Sequence, residues 1–288
     1  MIPQCLAIGA GKGGVLKTTT ATQLAAAAAH AGWSVLLVDA DPQGNAMFDL
    51  GYESDGGHGL AEALLHRTPL VPRRSDRDGL HYISGGPQLE AVISEGAHNP
   101  NVLYSLNDAV EGVADDFDLI VVDSPPRELV IRRFVLTAAH YLVVPTGIDR
   151  ASRVGLADIA GTVREIRESS NVDLEVLGVF TGPLPVAGTR MKQRMIERVG
   201  ALIDDDELVH QTVIRYAPLI AEACREQGIV ASEYAGLASQ DPPWYQTKRT
   251  PTQTYSSAAQ GLAADWDALC TEILQRFTSA QLNWQVTQ

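Results

Sequence analysis

Residues Gly11 to Thr18 read Gly-Lys-Gly-Gly-Val-Leu-Lys-Thr, and this octet constrains the fold more than any other stretch of the chain. A short apolar run, Gln4 to Gly9, precedes it, and the Ala-rich stretch Thr18 to Ala31, closed by Gly32, follows it. Alanine is the strongest helix former and glycine commonly stands just past a helix end, so the order reads strand, loop, helix. The spacing fits the phosphate-loop pattern GxxxxGK[ST] at every fixed position except one, where Leu16 replaces the second glycine. In such a loop, successive backbone N–H groups and the helix N-terminus surround phosphate oxygens. Lys17 is placed to contact the β- and γ-phosphates and Thr18 to ligate Mg2+, while Gly11, Lys12, Gly13, Gly14, Val15, Leu16 and Thr19 complete the candidate contacts.

Short apolar runs recur downstream at Ser34 to Val38, Leu80 to Ser84, Phe117 to Val122, Tyr141 to Val144 and Leu174 to Phe180. Helical patterns at Asn101 to Ala114 and Ala151 to Arg167 separate them, which is the signature of buried parallel strands with crossover helices. The expected fold is α/β, a doubly wound, mostly parallel sheet flanked by helices, with ligands at the carboxyl ends of its strands. Further helices are expected at Thr189 to Ile203 and over 257–278, with a loop or insertion at 234–256, all within a single domain spanning 1–288.

Two acidic motifs follow apolar runs: Asp39-Ala40-Asp41-Pro42-Gln43-Gly44-Asn45, and Asp123-Ser124-Pro125-Pro126. Carboxylates at strand ends beside a phosphate loop can hold Mg2+ through water or orient an attacking water. Asp39 and Asp123 are the candidate metal residues beside Thr18.

Composition narrows the function. The 288 residues have a net charge of −13, which argues against coating nucleic acid through the overall field. Residues 1–125 hold 6 Lys/Arg against 16 Asp/Glu and residues 126–288 hold 16 against 19, so an anion-binding face belongs in the second half or in the loop. The apolar stretches are too short to span a bilayer, and the three cysteines, Cys5, Cys224 and Cys270, have no metal-site spacing. No leader or membrane helix is expected, and a reducing cytoplasm fits.

The three motifs Lys12 to Thr20, Asp39 to Asn45 and Phe117 to Pro126 together resemble the ParA/MinD group of deviant Walker-A ATPases, and within it the ParA/Soj partition ATPases. Weaker likeness lies at Leu174 to Thr181, Thr212 to Ile214 and Ala221 to Ala223. The resemblance implies an ATP–Mg2+-dependent sandwich homodimer in which Lys12 reaches the partner subunit's phosphates. It further implies that Asp41 positions the hydrolytic water, making Lys12, Lys17 and Asp41 the catalytic set. Such proteins bind DNA non-specifically and answer to a ParB-like centromere-binding or cargo-adaptor protein, so a cytoplasmic, nucleoid-associated role without a membrane is implied.

The chain departs from that family in two places. Leu16 adds a branched side chain where a glycine lets the backbone approach phosphate, which predicts reduced nucleotide affinity. The family's basic residues after the Thr212 to Ile214 run are replaced by Tyr216 and Leu219. The substitute candidates for DNA contact are Arg190, Lys192, Arg194 and Arg198, with Arg215, Arg225, Lys248 and Arg249 as further candidates, and Arg190, Arg194 and Arg198 make an i, i+4, i+8 stripe. Arg127, Arg132 and Arg133 follow the Asp123 motif and suit either local salt bridges or a nucleotide response.

Several alternatives remain. One is a nucleotide-deficient scaffold that keeps the fold, another a positioning ATPase for a protein cargo, and a third an ATP-dependent metabolic ligase, against which the Asp39 to Asn45 motif speaks. A membrane-targeting helix is disfavoured because Asp265, Asp267 and Glu272 stand against Arg276 in the last helix.

Overall fold

A computed structural model describes residues 2–126, 128–185, 189–240 and 258–287. The strands are β1 (Ile2–Ile8), β2 (Val35–Asp39), β3 (Arg73–Arg74), β4 (Leu80–Ile83), β5 (Leu119–Asp123), β6 (Ala139–Thr146), β7 (Glu175–Leu184) and β8 (Val209–Arg215). Among the described residues they form one sheet in the order β3-β4-β2-β5-β1-β6-β7-β8, parallel throughout except for the β3–β4 pair. The helices are α1 (Lys17–His30), α2 (Asn45–Leu50), α3 (His58–His66), α4 (Leu89–Gly96), α5 (Ser105–Glu111), α6 (Leu129–Ala138), α7 (Arg150–Ser169), α8 (Thr189–Ile203), α9 (Pro218–Gln227), α10 (Ala231–Gln240) and α11 (Ala259–Thr287).

The apolar runs are continuous because both faces of the sheet are covered. Leu36, Val38, Ile120, Val122, Leu142 and Val144 point into one core with residues of α3 to α8. Their neighbours Leu37, Leu119, Val121, Tyr141 and Val143 point into the other, with α1, α2 and α9 to α11. Alternate residues of a strand face opposite ways, so a strand buried on both sides must be apolar at every position. Alanines at 21, 25, 26 and 28 let α1 lie close on the second face, and Trp266, Leu269, Ile273 and Phe277 give α11 its apolar seam.

The doubly wound α/β fold is as the sequence implies, and α8 has the expected bounds. Three stretches differ. The expected helix Asn101 to Ala114 is broken into a 3-10 turn at Pro100–Val102, α5, and a 3-10 turn at Ala114–Asp116. Asn99 caps the Asn101 N–H ahead of Pro100, and Gly112 ends α5. The segment expected as a loop from residue 234 instead continues as α10 to Gln240, because Tyr234 and Ala235 are buried in the second core. Residues 241–257 lie outside the described residues. The last helix runs on to Thr287, past the expected end at 278.

Candidate functional site

The parallel register brings the three motifs to one edge of the sheet. Ile8 pairs with Asp123, and Asp123 pairs with Asp39, so the loop after β1 emerges beside both carboxylates. Asp39 and Asp123 are the last residues of their strands rather than the first residues beyond them.

Leu16 is the N-cap of α1 in the left-handed conformation, with φ 69° and ψ 22°. The pattern's glycine therefore answers a backbone requirement, since an L-residue with a side chain is disfavoured there by about 1–2 kcal/mol. The Leu16 side chain packs onto the second core, so strain, more than bulk at the phosphates, is what this substitution introduces. No side chain caps the start of α1 and no acidic residue lies in its first turn, which leaves its N–H groups open toward an anion. Gly13 and Gly14 are exposed above it.

Lys17 is 6% exposed and its Nζ donates to the Lys12 carbonyl at 3.2 Å. Burial lowers its pKa, Asp123 and Asp41 oppose that, and Arg132 adds to it. An ammonium in this position has unused donors beside the open end of the helix.

The two aligned carboxylates are treated differently. Asp39 accepts from the Asp41 N–H at 3.0 Å through one oxygen and from the Ala46 N–H at 3.1 Å through the other. Burial raises its pKa to about 7 against the pull of those two N–H groups. Asp123 is wholly buried, and neither of its oxygens has a hydrogen-bond partner. Burial and then Asp39 hold its pKa well above the usual carboxylate range, while the neighbouring Thr18 hydroxyl and Lys17 draw it down. An orphaned carboxylate beside a hydroxyl fits a hard cation. Among the described residues no group of three or more His, Cys, Asp or Glu is arranged to hold a metal. Asp41 is buried in the turn, its Oδ1 accepting from the Gln43 N–H at 2.9 Å.

Lys12 is anchored by residues that local sequence patterns do not single out. Its Nζ lies 2.7 Å from Asp149 Oδ2 and 3.4 Å from Ser152 Oγ, both at the start of α7. Gly11 permits the approach, since a Cβ there would stand 2.4 Å from the Gly155 carbonyl oxygen. Arg132, buried on α6, donates to Asp158 Oδ2 at 2.8 Å and to Thr162 Oγ1 at 3.1 Å, and Arg133 pairs with Glu165. Arg132 and Arg133 thus sit in local salt bridges, whereas Arg127 lies outside the described residues.

The basic candidates separate. Arg190, Arg194 and Arg198 are all exposed along α8 and none is ion-paired with another described residue, while Lys192 is half-buried. Arg215 is engaged within the fold, its guanidinium making a bidentate pair with Asp265 of α11 at 2.6 and 2.8 Å, and Arg225 likewise pairs with Asp49 at 2.6 Å. Lys248 and Arg249 fall outside the described residues.

The profile of the AAA-domain family matches residues 3–176. The chain is 33% identical to the sporulation initiation inhibitor protein Soj of Bacillus subtilis over 215 residues, 74% of this chain and 84% of that one. The chain belongs to the ParA/MinD family. It is also 37% identical to the chromosome-partitioning ATPase Soj of Thermus thermophilus, over 59% of this chain and 65% of that relative. The match to that relative therefore spans slightly less than two thirds of its length. Among solved structures, a Cyanothece McdA–ATP complex superposes with a TM-score of 0.75 at 20% identity, covering 94% of this chain and 95% of that one. A cobyrinic acid a,c-diamide synthase of Mycobacterium smegmatis with an ATP analogue and magnesium gives 0.68 at 25% identity, covering 96% and 95%. Among the described residues no helix is long and apolar enough to cross a membrane.

Proposed function

We propose that this protein is a ParA-type positioning ATPase that binds ATP with Mg2+, dimerises as a nucleotide sandwich, and binds DNA non-specifically. Hydrolysis then releases it, and the cycle segregates plasmid, phage or chromosomal DNA in the cytoplasm with a ParB-like partner. The observation that carries this reading is the orphaned Asp123 carboxylate beside Thr18 and the buried Lys17, at the open N-terminus of α1. Lys17 neutralises phosphate charge, Thr18 and Asp123 hold the cation, Asp41 orients the attacking water, and Lys12 serves a second copy. Bound Mg2+ supplies charge neutralisation at the phosphates.

DNA contact falls to the exposed Arg190, Arg194 and Arg198 stripe, doubled in a symmetric dimer. Binding through phosphates should weaken steeply with salt. Reversing Arg190 and Arg194 to Glu should abolish binding in a fluorescence-anisotropy titration, and unchanged affinity overturns the stripe.

The deciding experiment is calorimetric titration of Mg-ATP into this chain and into Leu16→Gly. Comparable binding by both supports the ATPase. Binding by the glycine variant alone supports the second reading, a nucleotide-deficient scaffold, which the left-handed backbone at Leu16 favours. The likeness to the diamide synthase favours an ATP-dependent ligase instead, and ATP turnover that requires a small carboxylic acid but not DNA would place the chain there.

A further inference from the structure

We infer that Asp149 positions Lys12, holding its ammonium within its own subunit and releasing it only when a second copy's phosphates compete for it. This rests on the reading that Lys12 serves the partner subunit. Asp149 is the N-cap of α7, and its Oδ1 accepts from the Ser152 N–H at 2.7 Å and from the Ser152 hydroxyl at 2.6 Å. One oxygen is thus consumed by the helix start, and the other is left for Lys12 at 2.7 Å. The backbone is held as firmly as the side chain: a Cβ on Gly155 would stand 3.1 Å from Lys12 Cβ, so α7 lies directly against the loop at this residue. The space enclosed between them is about 10 Å3, at the lower limit for one water.

Asp149, Ser152, Gly155 and Asp158 recur every three residues along this edge of α7, and each meets the loop or its support. Asp158 is in turn the partner of Arg132 on α6, the helix that follows the Asp123 motif. The helix that follows the Asp123 motif and the helix that grips Lys12 are therefore joined by one buried guanidinium.

Magnitude decides whether such a grip can act as a release. The Lys12 and Asp149 side chains are 31% and 60% exposed, so water screens the pair and it belongs with surface ion pairs, which are weak. A polyphosphate offers Lys12 several charge-assisted bonds at once and displaces a single carboxylate. Lys12 and Ser152 hold the Asp149 carboxyl well below the usual carboxylate range, so the grip stays charged at every physiological pH.

Asp149→Asn isolates the charge, because asparagine caps a helix as well as aspartate does. Two measurements on the full chain test the inference. The first is nucleotide-free: acetylation of lysines followed by mass spectrometry, which is clean because the chain has only Lys12, Lys17, Lys192 and Lys248. Freed from its carboxylate, Lys12 in Asp149→Asn should label about two- to fivefold faster relative to Lys192, as expected for loss of one exposed ion pair. An unchanged ratio overturns the grip, whatever nucleotide does.

The second is sedimentation velocity against a non-hydrolysable Mg-ATP analogue, with Leu16→Gly as the shared background. Asp149→Asn should dimerise at an analogue concentration about two- to fivefold lower, while Lys12→Ala stays monomeric. An equal or higher midpoint for Asp149→Asn, with Lys12→Ala still monomeric, overturns the positioning role and spares the partner-lysine reading. Dimerisation of Lys12→Ala like its parent overturns that reading itself.

Discussion

Asp39 and Asp123 face each other in register on neighbouring strands, both wholly buried, yet each Asp39 oxygen accepts a backbone N–H while Asp123 has no well-formed hydrogen bond, only the nearby Thr18 hydroxyl and Lys17. Asp39 spends both oxygens on the N–H groups of Asp41 and Ala46 and so shapes the turn that presents Asp41. Asp123 shapes nothing by hydrogen bonding. Burying an unpartnered carboxylate is unfavourable, and a fold retains such a group where something outside the chain completes it. Of two aspartates that look alike in sequence, the first braces a turn through two backbone N–H groups, and the second is the one proposed to face a cation.

Four experiments break or sharpen this contrast. The largest effect should come from Asp123→Asn, which removes a candidate cation ligand. Mg2+-dependent nucleotide affinity should fall at least about tenfold in calorimetry, while the melting temperature holds because burial already disfavours the charged form of the carboxyl that the amide replaces. A variant that binds normally would return Asp123 to a structural role.

Asp39→Ala should behave in the opposite way. It strands two buried N–H groups, at a cost of about 2–4 kcal/mol, and should lower the melting temperature by about 5–10 °C. Equal stability for Asp39→Ala would show that the brace is dispensable.

Glu233 supplies the reference for a partnered carboxylate. Burial pushes its pKa up, but the bidentate Arg77 pair at 2.7 Å and the Val230 N–H outweigh burial and hold it below the usual value. A lowered folded pKa means stability that is present above the unfolded value of about 4.3 and is lost as pH falls through the folded one. Glu233→Gln should therefore flatten the acid limb of a stability-versus-pH curve and leave the curve above pH 6 parallel to that of the parent. An unaltered acid limb would contradict the assignment.

The smallest stability change belongs to Leu16→Gly. Relief of left-handed strain, about 1–2 kcal/mol, is offset by lost packing on the second core and by the added freedom of glycine in the unfolded chain. Chemical denaturation should shift by no more than about 1 kcal/mol. A larger loss would mean that Leu16 contributes more to the core than its half-buried state suggests.

Much of this was legible in the residues. The loop, the two acidic motifs and the strands that precede them could be read because each is local: a run of apolar residues, a glycine cluster, a lysine followed by a threonine. The partners of Lys12 and Arg215 could not. Asp149 is 137 positions from Lys12, and Asp265 is 50 positions from Arg215, so no local pattern links either pair. The same limit hid α10, because the stretch from Tyr234 to Tyr255 reads as a loop rich in Pro, Gln, Ser and Thr until Tyr234 and Ala235 are seen against the second core.

By itself the sequence determined the strand-loop-helix start, the continuous apolar strands, the family, and which side chains are candidates for nucleotide chemistry, because these depend on neighbours within a few residues. Only the tertiary structure decided that Asp39 is bonded and Asp123 is not, that the Leu16 problem is one of backbone conformation, and that Arg215 is neutralised while the α8 arginines remain exposed. Those outcomes depend on which distant groups meet in a buried space, where a missing partner costs far more than it does in water, and the linear order of residues does not contain that information.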